Sequence, residues 1–328
     1  MLAVAAFLAG AAVSLATSWL LVSRLERVGE RLGLSEALLG MVAALAADAP
    51  EVTSAVSAMA SHQTRIGAGV VIGSNVFNLA ALLGLGAVVA RWIGLHRRVV
   101  LLGGAVAMWV AIVCLAVVGG GLPVAAGLVL TVVALALYLV LLGSEGRATG
   151  PLPPRWAAWL RSAVTEEEVE LEEAIRPRRG RWQDAATAAV ALAVVVVASV
   201  IMEQAAASLG RRYAVPEIVV GGLVLAAVTS LPNAVAAVYL AARGRGAATL
   251  STALNSNTLN VVAGLLLPGA LIGLGAPSGQ AGLVTVWYAA LTLAVLALAY
   301  RHRGLSRRSG LLIIVAYAVF VVSVLAST

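Results

Sequence analysis

The hexapeptide GSNVFN at residues 73–78 recurs in altered form as NSNTLN at residues 255–260 of this 328-residue chain. One fixed offset of 182 residues relates these stretches, and it also matches polar, glycine, alanine and proline positions around them. The matched residues are Ser74 with Ser256, Asn75 with Asn257, Asn78 with Asn260, Pro50 with Pro232, Gly40 with Gly222 and Ala44 with Ala226. A single offset that relates so many polar positions indicates two related structural halves.

The composition indicates the environment of these halves. Hydrophobic residues make up 61% of the chain and charged residues only 11%. A soluble domain carries about a quarter charged residues, so this composition favours an integral membrane protein. A spanning helix needs about 20 mostly apolar residues. Ten segments meet this requirement: 2–22, 34–60, 66–90, 99–118, 122–142, 184–206, 216–242, 247–272, 280–300 and 309–327.

The arginines predict the orientation of these spans. All but three of the 22 basic residues fall in connections that follow odd-numbered spans; the exceptions are Arg65, Arg211 and Arg212. Positive charge concentrates on the cytoplasmic side of membrane proteins. We therefore expect a multi-pass protein of the cell membrane (inner or plasma membrane) with both termini on the outer side. No basic-aromatic module accompanies the arginines, which argues against a nucleic-acid partner.

The longest polar connection divides the chain into two groups of five spans. Residues 1–142 form the first five-helix repeat, 143–183 a cytoplasmic linker and 184–328 the second repeat. Because five is odd, the second half enters the membrane with opposite polarity, an architecture found in secondary transporters. We expect an all-α integral membrane fold of ten transmembrane helices in two inverted repeats. Pro50 and Pro232 should break helices 2 and 7.

Two carboxylates lie within the second predicted span. Asp48 and Glu51 are three residues apart and share a helix face. An acidic residue at the bilayer centre costs about 2.5–3.5 kcal/mol, and this span has no basic residue to offset two of them. A bound cation is the natural partner, and oxygen ligands suit Ca²⁺ or Na⁺. The candidate ligands are Glu51, Asp48, Ser74, Asn75, Asn78, Thr229, Ser230, Asn233, Ser256, Asn257 and Asn260. For Ser54 or Ser57 taken singly, ordinary helix–helix hydrogen bonding is the favoured interpretation.

Other reactive residues are few. His62, His96 and His302 fall near span ends, where interfacial residues are more common than ligands. Cys114 is the only cysteine, which excludes an intrachain disulfide. The acidic run at 166–173 is typical of a solvated amphipathic helix or a disordered linker, with regulatory ion binding as the alternative.

The repeated motifs resemble those of a known family. The stretches GMVAALAADAPEVTSAVSA and GVVIGSNVFNLAALLGLGA resemble the first alpha-repeat of the cation/Ca²⁺ exchanger superfamily, which includes sodium/calcium exchangers. GGLVLAAVTSLPNAVAAVYLA and STALNSNTLNVVAGLL resemble the second. The family pattern is Gly-Thr-Ser-x-Pro-Glu followed by Gly-Ser-Asn-x-Phe-Asn/Asp, and it implies alternate binding of Ca²⁺ and Na⁺. The matching positions are Glu51, Ser74, Asn75, Asn78, Thr229, Ser230, Ser256, Asn257 and Asn260.

Three positions depart from that pattern. Ala47 stands where the first repeat has Thr, Asp48 where it has Ser, and Asn233 where the second repeat has Glu. Both negative charges therefore come from one half of the chain. This leaves open exchange of Ca²⁺ or a different cation against either Na⁺ or H⁺. Two neighbouring carboxylates titrate as a coupled pair, which offers a route to proton-coupled exchange.

The resemblance and the polar residues together predict a secondary active cation antiporter that works by alternating access. No covalent step is involved, so we expect neither an enzyme nor a cofactor, and Ca²⁺ with Na⁺ or H⁺ as transported ligands. The expected partners are inorganic cations and the lipid bilayer, with the chain a monomer or weak homo-oligomer. Spans 1 and 6, continued as helices by the connectors 23–33 and 203–214, would move against the core. The alternatives are a passive cation channel and a non-transporting member that senses ions or scaffolds partners.

Overall fold

The computed structural model describes residues 2–33, 42, 44–143, 153–174, 181–244 and 246–327, and these residues are almost entirely helical. The first half contains α1 (Leu2–Arg31), α2 (Ala49–Ala60), α3 (Thr64–Ala90), β1 (Trp92–Gly94), α4 (Arg97–Val118) and α5 (Val124–Gly143). The connection contains α6 (Pro154–Ala174). The second half contains α7 (Trp182–Arg212), α8 (Glu217–Thr229), α9 (Leu231–Ala242), α10 (Gly246–Leu259), the π-helical segment Asn260–Leu266, α11 (Leu267–Ile272), α12 (Gly279–His302), β2 (Gly304–Ser306) and α13 (Arg307–Ala326).

Many of the described helices have the length and hydropathy of membrane-spanning helices. Seven are long and apolar enough to cross a membrane, or up to eight if the bent pair α8–α9 counts as one span. The predicted span 34–60 is described only in part, because residues 34–41 and 43 lie outside the described residues. The predicted span 247–272 corresponds to α10, the π-helical segment that follows it, and α11. The Asn, Ser and Thr side chains of α10 lower the mean hydropathy of this otherwise apolar stretch.

Helices α1 and α7 form a long antiparallel pair. They extend to Arg31 and Arg212, beyond the predicted span ends at residues 22 and 206, so both connectors do continue as helix. The hydroxyls of Ser14 and Ser199 lie 2.9 Å apart, and Arg24 Nη1 donates to Asp184 Oδ1 over 2.7 Å. Low-numbered residues of α1 thus face high-numbered residues of α7. This antiparallel pairing is the arrangement that inverted repeats require.

The connection between the halves is helical in part. Helix α6 covers residues 154–174, which includes the acidic run, and it packs against α4 and α10 through buried Ala163 and Val164. The backbone of the acidic run is therefore helical. A short antiparallel ladder pairs β1 with β2, in the register Ile93 with Leu305, and joins the loops before α4 and α13.

Glycines allow α3 to approach the second half closely. A Cβ atom added at Gly73 would lie 2.2 Å from the carbonyl oxygen of Gly222, and one at Gly69 would lie 2.9 Å from the Gly222 nitrogen. Gly69 and Gly73 form a small-xxx-small pattern of the kind that lets membrane helices pack backbone to backbone. Buried apolar residues of both halves surround this contact, among them Ile72, Val76 and Leu225.

Candidate functional site

The two halves carry the same backbone feature at equivalent positions. Asp48 has φ −81° and ψ −3°, and Ser230, 182 residues later, has φ −83° and ψ −1°. In each case the next helix begins at the following residue, and its second residue is Pro50 or Pro232. Proline is tolerated in a first helical turn because the N–H it lacks has no partner there. Helices α8 and α9 meet at Ser230 with a bend of 47°.

The carboxylates of α2 meet an amide from α9. Asn233 Nδ2 donates to Asp48 Oδ1 over 2.6 Å and lies 3.4 Å from Glu51 Oε1. Ser256 Oγ donates to the same Asp48 oxygen over 2.5 Å. All four side chains are at most 1% exposed. Side chains from both halves therefore hold a buried acidic pair, with one amide placed between the two carboxylates.

A reciprocal pair of asparagines joins α3 to α10. Asn75 Nδ2 donates to the backbone carbonyl of Asn257 over 3.0 Å, and Asn257 Nδ2 donates to the carbonyl of Asn75 over 3.0 Å. The two residues are separated by the repeat offset of 182. Asn78 Nδ2 then donates to Asn257 Oδ1 (3.1 Å), as Asn260 Nδ2 does to Asn75 Oδ1 (3.4 Å). The polar centre thus has an approximate twofold symmetry that the acidic pair breaks.

In the part of the chain that the structure describes, three π-helical segments border this centre. They cover Leu79–Leu85, Val220–Leu225 and Asn260–Leu266. Asn78 directly precedes the first and Asn260 begins the third, so the two equivalent asparagines occupy nearly the same place in their helices. π-Helical turns are rare and frequently mark functional sites.

Several buried oxygens of the centre have no hydrogen-bond partner among the described residues. They are Asp48 Oδ2, Glu51 Oε2, Asn78 Oδ1, Ser230 Oγ, Asn233 Oδ1 and Asn260 Oδ1. A buried oxygen without a partner is costly, which points to a ligand that supplies positive charge. Carboxylate, amide and hydroxyl oxygens are the donors that Ca²⁺ and Na⁺ prefer. Among the described residues, no group of three or more His, Cys, Asp or Glu side chains could hold a metal ion, so a cation here would depend on amide and hydroxyl oxygens beside the two carboxylates.

The structure brings most of the predicted ligands into one hydrogen-bonded network. Eight belong to it: Asp48, Glu51, Asn75, Asn78, Asn233, Ser256, Asn257 and Asn260. Ser74 and Thr229 are also buried, but their hydroxyls donate to backbone carbonyls: Ser74 to Ala226 over 3.5 Å and Thr229 to Leu225 over 2.9 Å. Ser230 is buried without a partner for its hydroxyl. The three histidines are exposed and lie outside this network.

Two buried acidic residues were absent from the predicted set: Asp184, which pairs with Arg24, and Glu203. Glu203 of α7 is completely buried, and its Oε2 accepts a 2.8 Å hydrogen bond from Ser57 of α2. The sequence signal was available, because an acidic residue near the end of an apolar segment is unusual. Glu203 stands at the edge of the predicted span 184–206, and the position equivalent to it at the repeat offset is Leu21, so the repeat does not mark it.

The sequence model of the sodium/calcium exchanger protein family matches residues 2–143 and 184–326, which is most of the chain. The chain belongs to the sodium/calcium exchanger family. The resemblance seen in the repeated motifs is thereby confirmed. This is a family of multi-pass membrane transporters, not of enzymes.

Relatives of this exchanger-family chain include a sequence and several solved structures. A protein named "Putative antiporter CaxA", from Alkalimonas amylolytica, is 33% identical over 82 residues, and the match spans only 26% of that relative's length and 25% of this chain. The H⁺/Ca²⁺ exchanger CAX is 14% identical with a TM-score of 0.72, over 99% of this chain and 87% of that one. The sodium–calcium exchanger NCX_Mj, soaked with 2.5 mM Na⁺ and 0.1 mM Sr²⁺, is 20% identical with a TM-score of 0.62, over 98% of both chains. At these identities the structures show a shared fold.

Proposed function

We propose that the chain is a secondary active antiporter that exchanges Ca²⁺, or another cation of similar chemistry, against Na⁺ or H⁺. The observation that carries this proposal is the placement of Asn233 between Asp48 and Glu51, since it joins both halves at one buried acidic pair. Membership of the exchanger family supports the transport class. The eleven predicted ligands would form the cation site, with Asp48 and Glu51 as its charged members.

The charge of the pair favours a divalent cation as one substrate. Two carboxylates neutralise Ca²⁺ fully, and Ca²⁺ takes six to eight oxygen ligands. The six unpartnered oxygens of the centre are available for that role. Asp48 Oδ1 and Glu51 Oε1 already accept hydrogen bonds, which leaves Oδ2 and Oε2 for the cation.

Exchange requires that a second ion replace the first. Two buried carboxylates joined by one amide cannot both remain charged without a cation, so release of the divalent ion requires a proton or Na⁺ to enter. Binding of the two ions is then mutually exclusive at the acidic pair. Mutual exclusion at a single site is the physical basis of antiport.

We further propose that α1 and α7 move as one unit against the remaining helices. Contacts between these two helices include the Ser14–Ser199 hydroxyl pair and the Arg24–Asp184 ion pair. The proposed core, α2, α3 and α8 to α11, carries the acidic pair and the asparagine network. The arrangement proposed is ten spans in two inverted five-helix repeats, residues 1–142 and 184–328, around the linker 143–183.

Counterflow in proteoliposomes tests the proposal. We expect Ca²⁺ to enter vesicles only when an outward gradient of Na⁺ or H⁺ is present, and to stay outside them when that gradient is absent. Uptake that needs no opposing ion would support a channel instead. A protein that shows no flux, and that no tested cation stabilises against heating, would support a non-transporting member.

The orientation is proposed from the arginine distribution, with both termini on the outer side and the linker in the cytoplasm. A reporter fused after Thr328 should be accessible to an impermeant reagent in intact cells, and one inserted in the linker should be protected. Size measurement of the purified protein would test the expectation of a monomer or weak homo-oligomer.

A further inference from the structure

Glu203 is a completely buried acidic residue outside the site described above. It belongs to α7, and its Oε2 accepts the hydrogen bond from Ser57 of α2. Its other oxygen, Oε1, is buried and meets no hydrogen-bond partner within the described ranges. A charged group in this position is costly unless it is neutralised. The unpartnered oxygen therefore points to a bound positive charge.

The acidic pair and Glu203 are linked by a row of polar side chains on α2. Asp48, directly before α2, and Glu51, Ser54 and Ser57 within it follow one another at intervals of three residues, so each is a neighbour of the next along a path that winds about half a turn around the helix. Ser54 is completely buried and its hydroxyl has no partner. Since Ser57 contacts Glu203, the row leads from the pair, through one unpartnered hydroxyl, to the Glu203 carboxylate.

A cavity lies beyond Glu203 toward the adjacent loops. Its volume is about 270 Å³, and its lining includes Gln63, Ala207, Arg211 and Glu217. Ala207 is one turn of α7 beyond Glu203, and Gln63 directly follows the loop at the end of α2. Glu203 is therefore joined to the cavity wall through α7 and to the polar residues of α2 through Ser57.

The polar row has no equivalent in the other half. At the repeat offset of 182, the positions that correspond to Glu203, Ser54 and Ser57 are Leu21, Ala236 and Tyr239. Leu21 packs with Ala46, Ala188 and other apolar residues of α1 and α7. The repeat therefore does not require an acidic residue at Glu203, which makes a purely architectural origin a poor explanation.

The charges around Glu203 are few. Arg211, two turns along α7, acts on it electrostatically, and Arg211 Nη1 also donates to Gln63 Oε1 over 3.2 Å. From α2 the facing group is the Ser57 hydroxyl, with Glu51 six residues lower on the same helix. From α1 the neighbouring region is Gly10, which packs on Met202 and Ala198, while Arg24 and Glu26 lie at the far end of that helix.

We propose that Glu203, Ser57 and Ser54 form a second cation site, which takes the monovalent counter-ion on its way between the cavity and the acidic pair. One carboxylate matches one positive charge, whereas the Asp48–Glu51 pair matches two. The site is built from α7 of the moving pair and α2 of the core, so its occupation is coupled to their relative position. This inference rests on the proposed antiport function, and it takes either Na⁺ or H⁺ as the ion.

The test uses the full-length protein in proteoliposomes, with Ca²⁺ uptake driven by a Na⁺ gradient at constant pH or by a pH gradient in Na⁺-free medium. The gradient that drives wild-type uptake identifies the monovalent ion. For Glu203→Gln, we expect the concentration of that ion needed for half-maximal exchange to rise by about tenfold or more. The Ca²⁺ concentration for half-maximal exchange should stay within about twofold of wild type. Ser57→Ala should change the same quantity in the same direction, by less.

Controls separate this inference from the proposed function and from misfolding. Glu26→Gln makes the same substitution at the other end of the α1–α7 pair and should leave both ion dependences unchanged. Stabilisation of Glu203→Gln by Ca²⁺ against heating checks its fold; should that variant fail to fold, Glu203→Asp and Ser57→Ala decide the question. If the wild type exchanges ions and these variants need the same monovalent-ion concentration as the wild type, the second site alone is overturned. Equal increases in the Ca²⁺ and monovalent-ion concentrations needed for half-maximal exchange would also overturn it. Absence of exchange by the wild type would overturn both proposals.

Discussion

Asn233 and Asp48 are in direct contact: the amide nitrogen of Asn233 lies 2.6 Å from Asp48 Oδ1, across the interface between the two halves. These are two of the three positions at which the chain departs from the family motif. The lost carboxylate of the second repeat and the gained carboxylate of the first therefore occupy neighbouring places. We interpret the two changes as one exchange of charge within a single site.

Cation binding that is weakened by Asp48→Ser should be recovered when a carboxylate is placed at position 233, where the family motif has Glu. Asp48→Ser removes one of the two negative charges of the site. The Ca²⁺ concentration needed to stabilise the purified protein against heating should then rise by about tenfold or more. The double variant Asp48→Ser/Asn233→Glu returns a carboxylate to the contact partner and should recover most of that loss. Asn233→Glu alone places three carboxylates together and should lower the melting temperature in the absence of Ca²⁺. A double variant no better than Asp48→Ser would show that the two positions do not compensate.

The Ser256 hydroxyl should support cation binding through Asp48. It donates to Asp48 Oδ1 over 2.5 Å, and a hydrogen bond to a charged group contributes about 1.5–3 kcal/mol. Ser256→Ala should therefore weaken Ca²⁺ binding by roughly tenfold, measured by thermal shift or calorimetry. Ser323→Ala removes an exposed hydroxyl that bonds only within its own helix, and it serves as the control. Equal affinities for both variants would contradict the role given to Ser256.

The reciprocal asparagines should contribute equally to stability. Asn75→Ala and Asn257→Ala each remove the donor to a buried carbonyl, and an unsatisfied buried group costs about 1–3 kcal/mol. Because the two contacts are equivalent by the repeat, we expect similar decreases in melting temperature. A large decrease for one variant and none for the other would show that the approximate symmetry does not extend to energetics.

The glycine contact between α3 and α8 should be intolerant of a methyl group. An alanine Cβ at Gly73 would overlap the Gly222 carbonyl, so Gly73→Ala should destabilise the protein by about 1–3 kcal/mol. Gly279→Ala adds the same methyl group where no atom lies within 4 Å, and it should be nearly neutral. Comparable melting temperatures for both variants would contradict the close packing.

The sequence predicted the parts of the site that the repeat encodes. The offset of 182 residues relates Asn75 to Asn257 and Asn78 to Asn260, and the structure places each of these pairs in equivalent contacts. The prolines likewise indicated where α2 and α9 begin, and the structure shows a bend of 47° at the second of these positions. These features are predictable because local residue chemistry and the repeat act at the same positions.

Other features depend on tertiary contacts and were beyond prediction from the sequence. The π-helical segments begin beside Asn78 and at Asn260, yet their surroundings, such as LAALLGL, look like ordinary apolar helix. The role of Ser57 depends on Glu203, 146 residues away and outside the repeat register. Nor did the motif departures indicate that Asn233 would contact Asp48 directly, because that distance depends on how closely the halves approach.

The most direct test of the account compares wild type with Glu51→Gln and Glu26→Gln in one reconstituted preparation. The measurement is Ca²⁺ uptake driven by an opposing gradient of Na⁺ or H⁺. The account predicts gradient-dependent uptake by wild type and Glu26→Gln, and loss of uptake in Glu51→Gln, because a single remaining carboxylate cannot neutralise a divalent cation in the buried site. Undiminished uptake by Glu51→Gln would contradict the account. Wild-type uptake that does not depend on the opposing ion gradient would also contradict it.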